Sequence, residues 1–136
     1  VPAGAHGTRV INNVVGLSAV NMATTVRARC ITVPTTTGRS ARLVSHFRPN
    51  LPVVAFTRNK WAVAKMLMYW GVVPFHVETE GDDVSLTAEH AIEAARDRGF
   101  LKKGDITVVT AGDPKTSVTL EDKITSTNIV CVAQVR

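Results

Sequence analysis

Acidic residues are absent from the first 77 positions of this 136-residue chain. Those positions carry nine Lys and Arg residues, whereas residues 78–136 carry seven basic and eleven acidic ones, which leaves a formal net charge of +5. Long apolar runs are also missing, because the longest uncharged stretch, residues 10–26, is interrupted by Asn12, Asn13 and Asn21. That stretch is a poor membrane span. No secretory signal pattern precedes it, so we expect a cytoplasmic protein without membrane contact.

Cysteine is scarce, and the chain is short. Cys30 and Cys131 are its two cysteines. They lie far apart in apolar runs, so we interpret them as buried free thiols in a reducing compartment, with a disulfide or a metal site as the alternative. The four histidines have no metal-ligand spacing. A chain of 136 residues is expected to form one domain and is too short for a (β/α)₈ barrel of about 250 residues. It begins with Val1 rather than Met, which suggests a processed protein or a piece of a longer one.

Short β-branched runs alternate with segments of helical period. The predicted strands are residues 29–34, 52–57, 72–77, 106–110 and 128–135. The predicted helices follow Gly38, cover residues 60–70 between Asn59 as N-cap and Gly71 as C-terminal cap, and end before Gly99. This alternation predicts a parallel sheet covered by helices on both faces. Residues 8–27 fit helix or strand by periodicity, and their length without turn signals favours helix.

A hydroxyl-rich turn, Thr-Thr-Thr-Gly-Arg-Ser at residues 35–40, joins the first of these strands to a helix. A helix N-terminus offers unpaired backbone N–H groups and a favourable dipole to a phosphate. The hydroxyls add donors, Gly38 allows close approach and Arg39 supplies a planar cation. The alternative is that Ser40 or Thr37 merely caps the helix. The turn lacks the spacing of a Walker loop, so triphosphate hydrolysis is not expected. The candidate phosphate-binding residues are Thr35, Thr36, Thr37, Gly38, Arg39 and Ser40.

Several segments, kept in order and spacing, resemble the C-terminal domain of pyruvate kinase. They are residues 29–49, 52–59, 71–74, 99–105 and 126–128. The resemblance runs from about Thr8 to the end and identifies the first segment as a helix. It implies a three-layer α/β/α fold with a five-stranded mixed sheet, strand order 3-2-1-4-5 and the last strand antiparallel. We therefore expect a lead-in over residues 1–8 and a single domain over residues 9–136.

The resemblance also implies a role. Enzymes of this family transfer phosphate from phosphoenolpyruvate to ADP in a barrel domain that uses Mg²⁺ and K⁺, and their C-terminal domain binds phosphorylated effectors and forms tetramer contacts. The family's phosphate-holding loop corresponds residue by residue to residues 35–40. The barrel with its catalytic residues is not in this chain, so we expect no catalytic residue and no cofactor here. The expected function is that of a regulatory and oligomerisation domain, with the first helix and last strand as interfaces.

Departures from the family pattern narrow the expected effector. In members regulated by fructose bisphosphate, a Trp and an Arg hold the second phosphate, and Glu80 and Thr87 occupy those positions here. An acidic residue repels a second phosphate by on the order of 1 kcal/mol for each close pair. We therefore expect a phosphorylated sugar with one phosphate or a nucleoside monophosphate. In the family's effector loop, here residues 112–126, Gly112 and Lys115 are further candidates, with a solvated loop charge as the alternative for Lys115.

Three aromatic residues of one helix allow two interpretations. Trp61, Tyr69 and Trp70 lie in one predicted helix, where they either pack in the core or contact a missing domain or partner subunit.

The alternative function is a stand-alone small protein or enzyme that binds a phosphorylated metabolite with the same fold. The extent of the reading frame separates this alternative from the regulatory domain. Nucleic-acid binding is not expected, because the arginines are spread over several elements without a motif.

Overall fold

Helices and strands alternate along the described parts of the chain. The computed structural model describes residues 5–78, 88–111 and 129–135. Its elements are α1 (Ala5–Thr25), β1 (Cys30–Pro34), α2 (Arg39–His46), β2 (Val53–Thr57), α3 (Lys60–Met66), β3 (Val72–His76), α4 (Ala88–Asp97), β4 (Ile106–Ala111) and β5 (Ile129–Gln134). Within these ranges, no helix combines the length and the apolar character needed to cross a membrane.

The five strands form one mixed sheet in the order β3-β2-β1-β4-β5. Strands β1 to β4 are parallel, with Val33 opposite Ala55 and Thr32 opposite Val109 in the register. The last strand, β5, runs antiparallel to β4. The expected α/β fold, with its strand order and its one antiparallel strand, is therefore confirmed. Every residue of β1 and β2 is buried, as expected for continuous apolar strands at the centre of a parallel sheet.

Helices cover both faces of the sheet and make it the middle of three layers. On one face, α1, α2 and α3 pack small and medium side chains onto the strands; the buried helical residues there are Ala19, Ala23, Ala41, Val44, Ala62 and Met66. On the other face, α4 places Ala91 and Ala95 against Val54 and Phe56. The expected i, i+3 and i+4 face of α4 is thus its buried face.

Gly16 sets the distance between α1 and α2. A methyl group at this position would lie 3.0 Å from Cε2 of Phe47 and 3.2 Å from the carbonyl oxygen of Leu43. The two helices therefore approach each other more closely than a larger residue would allow. The contact lies toward the C-terminal end of α2, at Leu43 and Phe47.

Two element boundaries differ from the sequence-based expectation. Helix α1 begins at Ala5, inside the segment expected as a lead-in. Helix α3 ends at Met66, so the predicted continuation to Trp70 is wrong. From Met68 onward the amides bond three residues back, as from Met68 to Lys65, and Gly71 turns the chain into β3 with a φ of +71°. The tighter turn ends the helix one turn early.

The two cysteines are free thiols, and Cys30 is buried. Cys30 lies beside two threonines on the α4 side of the sheet. The Thr107 hydroxyl donates to the carbonyl oxygen of Cys30 at 2.9 Å, and the hydroxyls of Thr107 and Thr32 lie 2.8 Å apart. Burial raises the pKa of both Cys30 and Cys131. The two thiols are therefore poor nucleophiles at neutral pH, and the threonines form a polar link between β1 and β4.

Candidate functional site

The turn at residues 35–38 lies where strand β1 ends and helix α2 begins. From β1 the chain adds β2 and β3 on one side and later β4 on the other. The carboxyl ends of β1 and β4 therefore form a topological switch point, the place where open α/β sheets bind ligands. Residues 35–40, which the sequence singled out for phosphate binding, occupy this position.

Threonine hydroxyls shape the turn from within. Oγ1 of Thr35 accepts a hydrogen bond from the Gly38 amide at 3.0 Å, and Oγ1 of Thr37 accepts a longer one of 3.4 Å from the Arg39 amide. A hydroxyl that accepts a hydrogen bond keeps its own O–H as a donor. Both hydroxyls can therefore hold the turn and still donate to an anion.

Gly38 is the N-cap of α2 and adopts a left-handed conformation, with φ of 89° and ψ of −2°. It has no side chain with which to cap the first turn of the helix, and its carbonyl accepts the first helical hydrogen bond from Arg42. The interpretation that Ser40 or Thr37 is the cap residue is therefore wrong, because Ser40 lies inside the helix and Thr37 precedes the cap. The positive end of the helix dipole is left facing the turn without an acidic residue.

Two residues at the end of β2 and just beyond it, Thr57 and Asn59, form hydrogen bonds that hold the turn in place. The carbonyl oxygen of Thr36 accepts hydrogen bonds from Nδ2 of Asn59 at 2.6 Å and from Oγ1 of Thr57 at 3.3 Å. Asn59 stands at the N-cap position of α3, as expected, but its side chain makes no capping hydrogen bond there. This bracing role was not predicted from the sequence. It could have been, because Asn59 follows β2 just as the turn follows β1, and adjacent parallel strands end at the same edge of a sheet.

Met66 supports the turn from below. A methyl group on Gly38 would lie 2.8 Å from Cγ and 3.4 Å from Sδ of Met66, which is fully buried. Gly38 is therefore required both for its left-handed backbone and for this close approach. The turn rests on the core and has little room to move toward α3.

The candidate residues differ in their exposure to solvent. Thr36, Thr37 and Arg39 are exposed, Thr35 and Ser40 are half-buried, and Gly38 is buried. None of the elements from α1 to β3 contains a carboxylate, because the first acidic residue of the chain is Glu78. The elements that carry the turn and its braces therefore contain hydrogen-bond donors and basic residues but no acidic one.

The arrangement suits binding of an anion better than chemistry. The side chains at the turn and at the start of α2 are hydroxyls and a guanidinium, which can donate hydrogen bonds to the oxygens of an anion. In the described ranges, no three His, Cys, Asp or Glu side chains lie close enough together to hold a metal ion. The described side chains can bind an anion and offer no metal-dependent chemistry of this kind.

Strand β4, on the other side of the switch point, has a buried polar residue near its carboxyl end. Thr110, one residue before the end of β4, has a buried hydroxyl without a hydrogen-bond partner. The further candidates Gly112 and Lys115, and the positions Glu80 and Thr87 that bear on a second phosphate, lie outside the described residues. The described geometry therefore concerns the 35–40 half of the expected site.

Comparison with known proteins finds a family model and several full-length proteins that are similar to this chain. The family described as pyruvate kinase, alpha/beta domain, matches residues 13–133. Over 136 aligned residues the chain is 34% identical to pyruvate kinase 2 of Synechocystis sp., with 99% of this chain and 22% of the relative covered. Pyruvate kinase of Clostridium acetobutylicum is 35% identical over 103 residues, which cover 76% and 22%. Pyruvate kinase 1 of Saccharomyces cerevisiae is 40% identical over 103 residues, which cover 72% and 21%. The chain spans about a fifth of the length of these curated relatives.

Proposed function

The chain belongs to the pyruvate kinase family and carries its alpha/beta domain, and from this we propose that it is the regulatory and oligomerisation domain of a pyruvate kinase. In this proposal, residues 35–40 bind the phosphate of an allosteric effector. The chain itself is non-catalytic, and the glycolytic transfer of phosphate from phosphoenolpyruvate to ADP belongs to a barrel domain of the parent enzyme.

The observation that carries the proposal is the N-terminus of α2. A glycine N-cap, two threonine hydroxyls that hold the turn, and the exposed Arg39 meet at a topological switch point. Backbone amides at a helix N-terminus and an arginine are the groups that bind phosphate in many unrelated proteins. The braces from Thr57 and Asn59 hold the turn in this shape before a ligand arrives, which lowers the entropic cost of binding.

The proposed effector carries a single phosphate. Support comes from Glu80 and Thr87, which by the resemblance correspond to the residues that hold the second phosphate in bisphosphate-regulated members, and from the acidic residues that cluster just after β3 in the sequence. A phosphorylated sugar or a nucleoside monophosphate meets this requirement. Gly112 and Lys115, in the segment that follows β4, are proposed as secondary contacts for the remainder of the effector.

Removing two donors from the turn is expected to weaken phosphate binding about 10- to 100-fold, because hydrogen bonds to charged groups contribute more than neutral ones. The variant is Thr37→Ala together with Arg39→Ala. Binding is measured by isothermal titration calorimetry with glucose 6-phosphate, AMP and inorganic phosphate as probes. Fructose 1,6-bisphosphate is expected to bind no more tightly than glucose 6-phosphate.

The control likewise removes one threonine and one basic residue, at the opposite edge of the sheet. Thr24 at the end of α1 and Lys103 before β4 are both exposed and lie near the amino ends of the strands. Thr24→Ala together with Lys103→Ala is expected to bind the probes as the unmodified chain does. Equal affinities for the unmodified chain and the Thr37→Ala, Arg39→Ala variant would show that the phosphate binds elsewhere.

The two edge strands of the sheet differ in how readily they could pair with another chain, and this difference favours an oligomer formed through α1 and β5. On the β3 edge, Pro74 lies in the middle of the strand and removes a backbone donor, which discourages pairing with another chain. Strand β5 has neither proline nor charge, and its Val132 is exposed. Val14 and Leu17 of α1 are also exposed. We propose that α1 and β5 of two copies meet along this edge.

A charge on this edge is expected to shift the chain toward the monomer. The variant is Val132→Lys, since a lysine on an edge strand opposes pairing. Size-exclusion chromatography with light scattering, over a dilution series, gives the mass of each species. Leu67→Lys, on an exposed residue of another surface, is the control. A monomeric unmodified chain at all concentrations, or an unchanged oligomer in Val132→Lys, would count against this interface.

A further inference from the structure

Helix α2 connects the turn at residues 35–38 to a second surface feature, which we call the apolar turn and which comprises residues 67–70. In this segment Met68 is 86% exposed, Leu67 68% and Trp70 49%. The apolar turn follows α3 and leads into β3. It is the part of the described structure in which large apolar side chains are most exposed.

The N-terminal end of α2 contacts the start of this segment. The backbone of Gly38 lies against Met66, and a methyl group at Gly38 would also come within 3.8 Å of Cε2 of Tyr69. Met66 is fully buried and Tyr69 packs against the same core. A shift of the turn at residues 35–38 toward α3 therefore displaces Met66 or Tyr69, because close-packed side chains cannot be compressed.

The C-terminal end of α2 contacts the other end of the apolar turn. The buried Ser45 donates a hydrogen bond from Oγ to the carbonyl oxygen of Trp70, at a distance of 2.6 Å. Just beyond α2, the guanidinium carbon of Arg48 lies 5.1 Å from the centre of a Trp70 ring. Because α2 has only eight residues, it is only about 12 Å long, so the two contacts lie at the two ends of one short helix.

We propose that phosphate binding at residues 35–40 is transmitted through α2 to the apolar turn, whose position and exposure change with occupancy. This inference rests on the proposed function of the site and adds the route by which that site regulates. A phosphate drawn to the N-terminus of α2 changes the position of the helix. The contacts of Gly38 with Met66, just before the apolar turn, and of Ser45 with Trp70, at its end, pass that change to the segment.

Trp70 provides the readout. The chain has two tryptophans, and Trp61 is exposed, so Trp61→Phe leaves Trp70 as the single reporter without disturbing the core. Glucose 6-phosphate, AMP and inorganic phosphate are titrated into this variant, with calorimetry and Trp70 emission recorded on the same samples. We expect a saturable change in emission whose midpoint equals the calorimetric dissociation constant.

Ser45 tests the route. In the Trp61→Phe background, Ser45→Ala removes the hydrogen bond to Trp70 and is expected to abolish the emission change. Because coupling is reciprocal, it is also expected to alter phosphate affinity by about two- to tenfold, although Ser45 does not touch the turn at residues 35–38. Ser45→Thr keeps the hydroxyl and is expected to restore the response. Ser18→Ala, the same change at a half-buried position of α1, is the control and is expected to respond normally.

The outcomes separate this inference from the function on which it rests. Heat of binding without a change in Trp70 emission overturns the coupling and leaves the phosphate site standing. An emission change of full size in Ser45→Ala overturns the route through α2. Absence of heat with every probe overturns both the site and the coupling.

Discussion

Replacing Phe56 by Ala is expected to lower the free energy of unfolding by about 3–5 kcal/mol. Phe56 is the largest fully buried side chain among the described residues. Its ring stacks on Phe75 with centroids 5.8 Å apart, and Phe75 meets Phe100 edge-on at 5.7 Å. The substitution opens a cavity between β2 and α4, where three aromatic rings contribute both buried area and favourable ring contacts. A domain of this size is stable by about 5–15 kcal/mol, so the variant loses a large share of its stability.

Urea unfolding followed by far-ultraviolet circular dichroism measures this loss. Phe56→Leu keeps most of the volume and is expected to cost about 1.5 kcal/mol or less. Leu67→Ala removes an apolar side chain that is 68% exposed, and we expect a change within about 0.5 kcal/mol. If Phe56→Ala and Leu67→Ala cost the same, the aromatic group is not the centre of the α4-side core.

The sequence predicted most elements because their patterns have one physical interpretation. The runs that became β1 and β2 are continuous and β-branched, which suits the buried centre of a parallel sheet. Ala88, Ala91, Ile92 and Ala95 follow the helical period and end before Gly99, and α4 occupies that segment. The antiparallel direction of β5 is different, because no local pattern specifies it. It followed from the resemblance to the family.

Local periodicity could not predict where α3 ends. Leu67, Met68 and Trp70 continue an apolar pattern that suggests a longer buried helix, but all three are exposed. The same limit applies to the aromatic residues: core packing is wrong for Trp61 and Trp70, which are exposed, while Tyr69 is half-buried against the core. Apolar composition indicates that a side chain will be covered, and it does not indicate whether this chain or another molecule covers it.

The candidate site was also only partly predictable from the sequence. The turn at residues 35–40 was visible from sequence because glycine, arginine and hydroxyl residues follow a strand and precede a helix. Its supports were not visible. The amide of Asn59 reaches Thr36 over a separation of 23 positions, and the contact between Gly38 and Met66 joins two helices. Such contacts depend on the sheet order, which places the ends of β1 and β2 side by side.

Replacing Gly38 by Ala is expected to lower the free energy of unfolding by about 2–5 kcal/mol, from two separable causes. A left-handed conformation costs an ordinary residue about 1–2 kcal/mol, and Gly38 has a φ of +89°. The added methyl group would also lie 2.8 Å from Cγ of Met66, and overpacking of this kind costs about 1–3 kcal/mol. Urea unfolding followed by circular dichroism measures the sum.

Gly71 separates the two causes. Its φ is +71°, but a methyl group there meets no atom within 4 Å. Gly71→Ala is therefore expected to cost only the conformational part, about 1–2 kcal/mol. The difference between the two variants gives the energy of the contact with Met66. Equal losses in Gly38→Ala and Gly71→Ala would mean that the turn does not rest on Met66.

A double variant tests the same contact from the other side. Met66→Ala removes the side chain that a methyl group at Gly38 would strike, so the two substitutions together are expected to cost less than the sum of their separate effects by about 0.5–3 kcal/mol. Met66→Ala with Gly71→Ala is expected to be additive, because a methyl group at Gly71 meets no neighbouring atom. Gly38→Ala is also expected to lower the affinity for phosphate, whereas Gly71→Ala is expected to leave that affinity unchanged. In the proposed site, the position of the amides at the N-terminus of α2 depends on the contact of Gly38 with Met66.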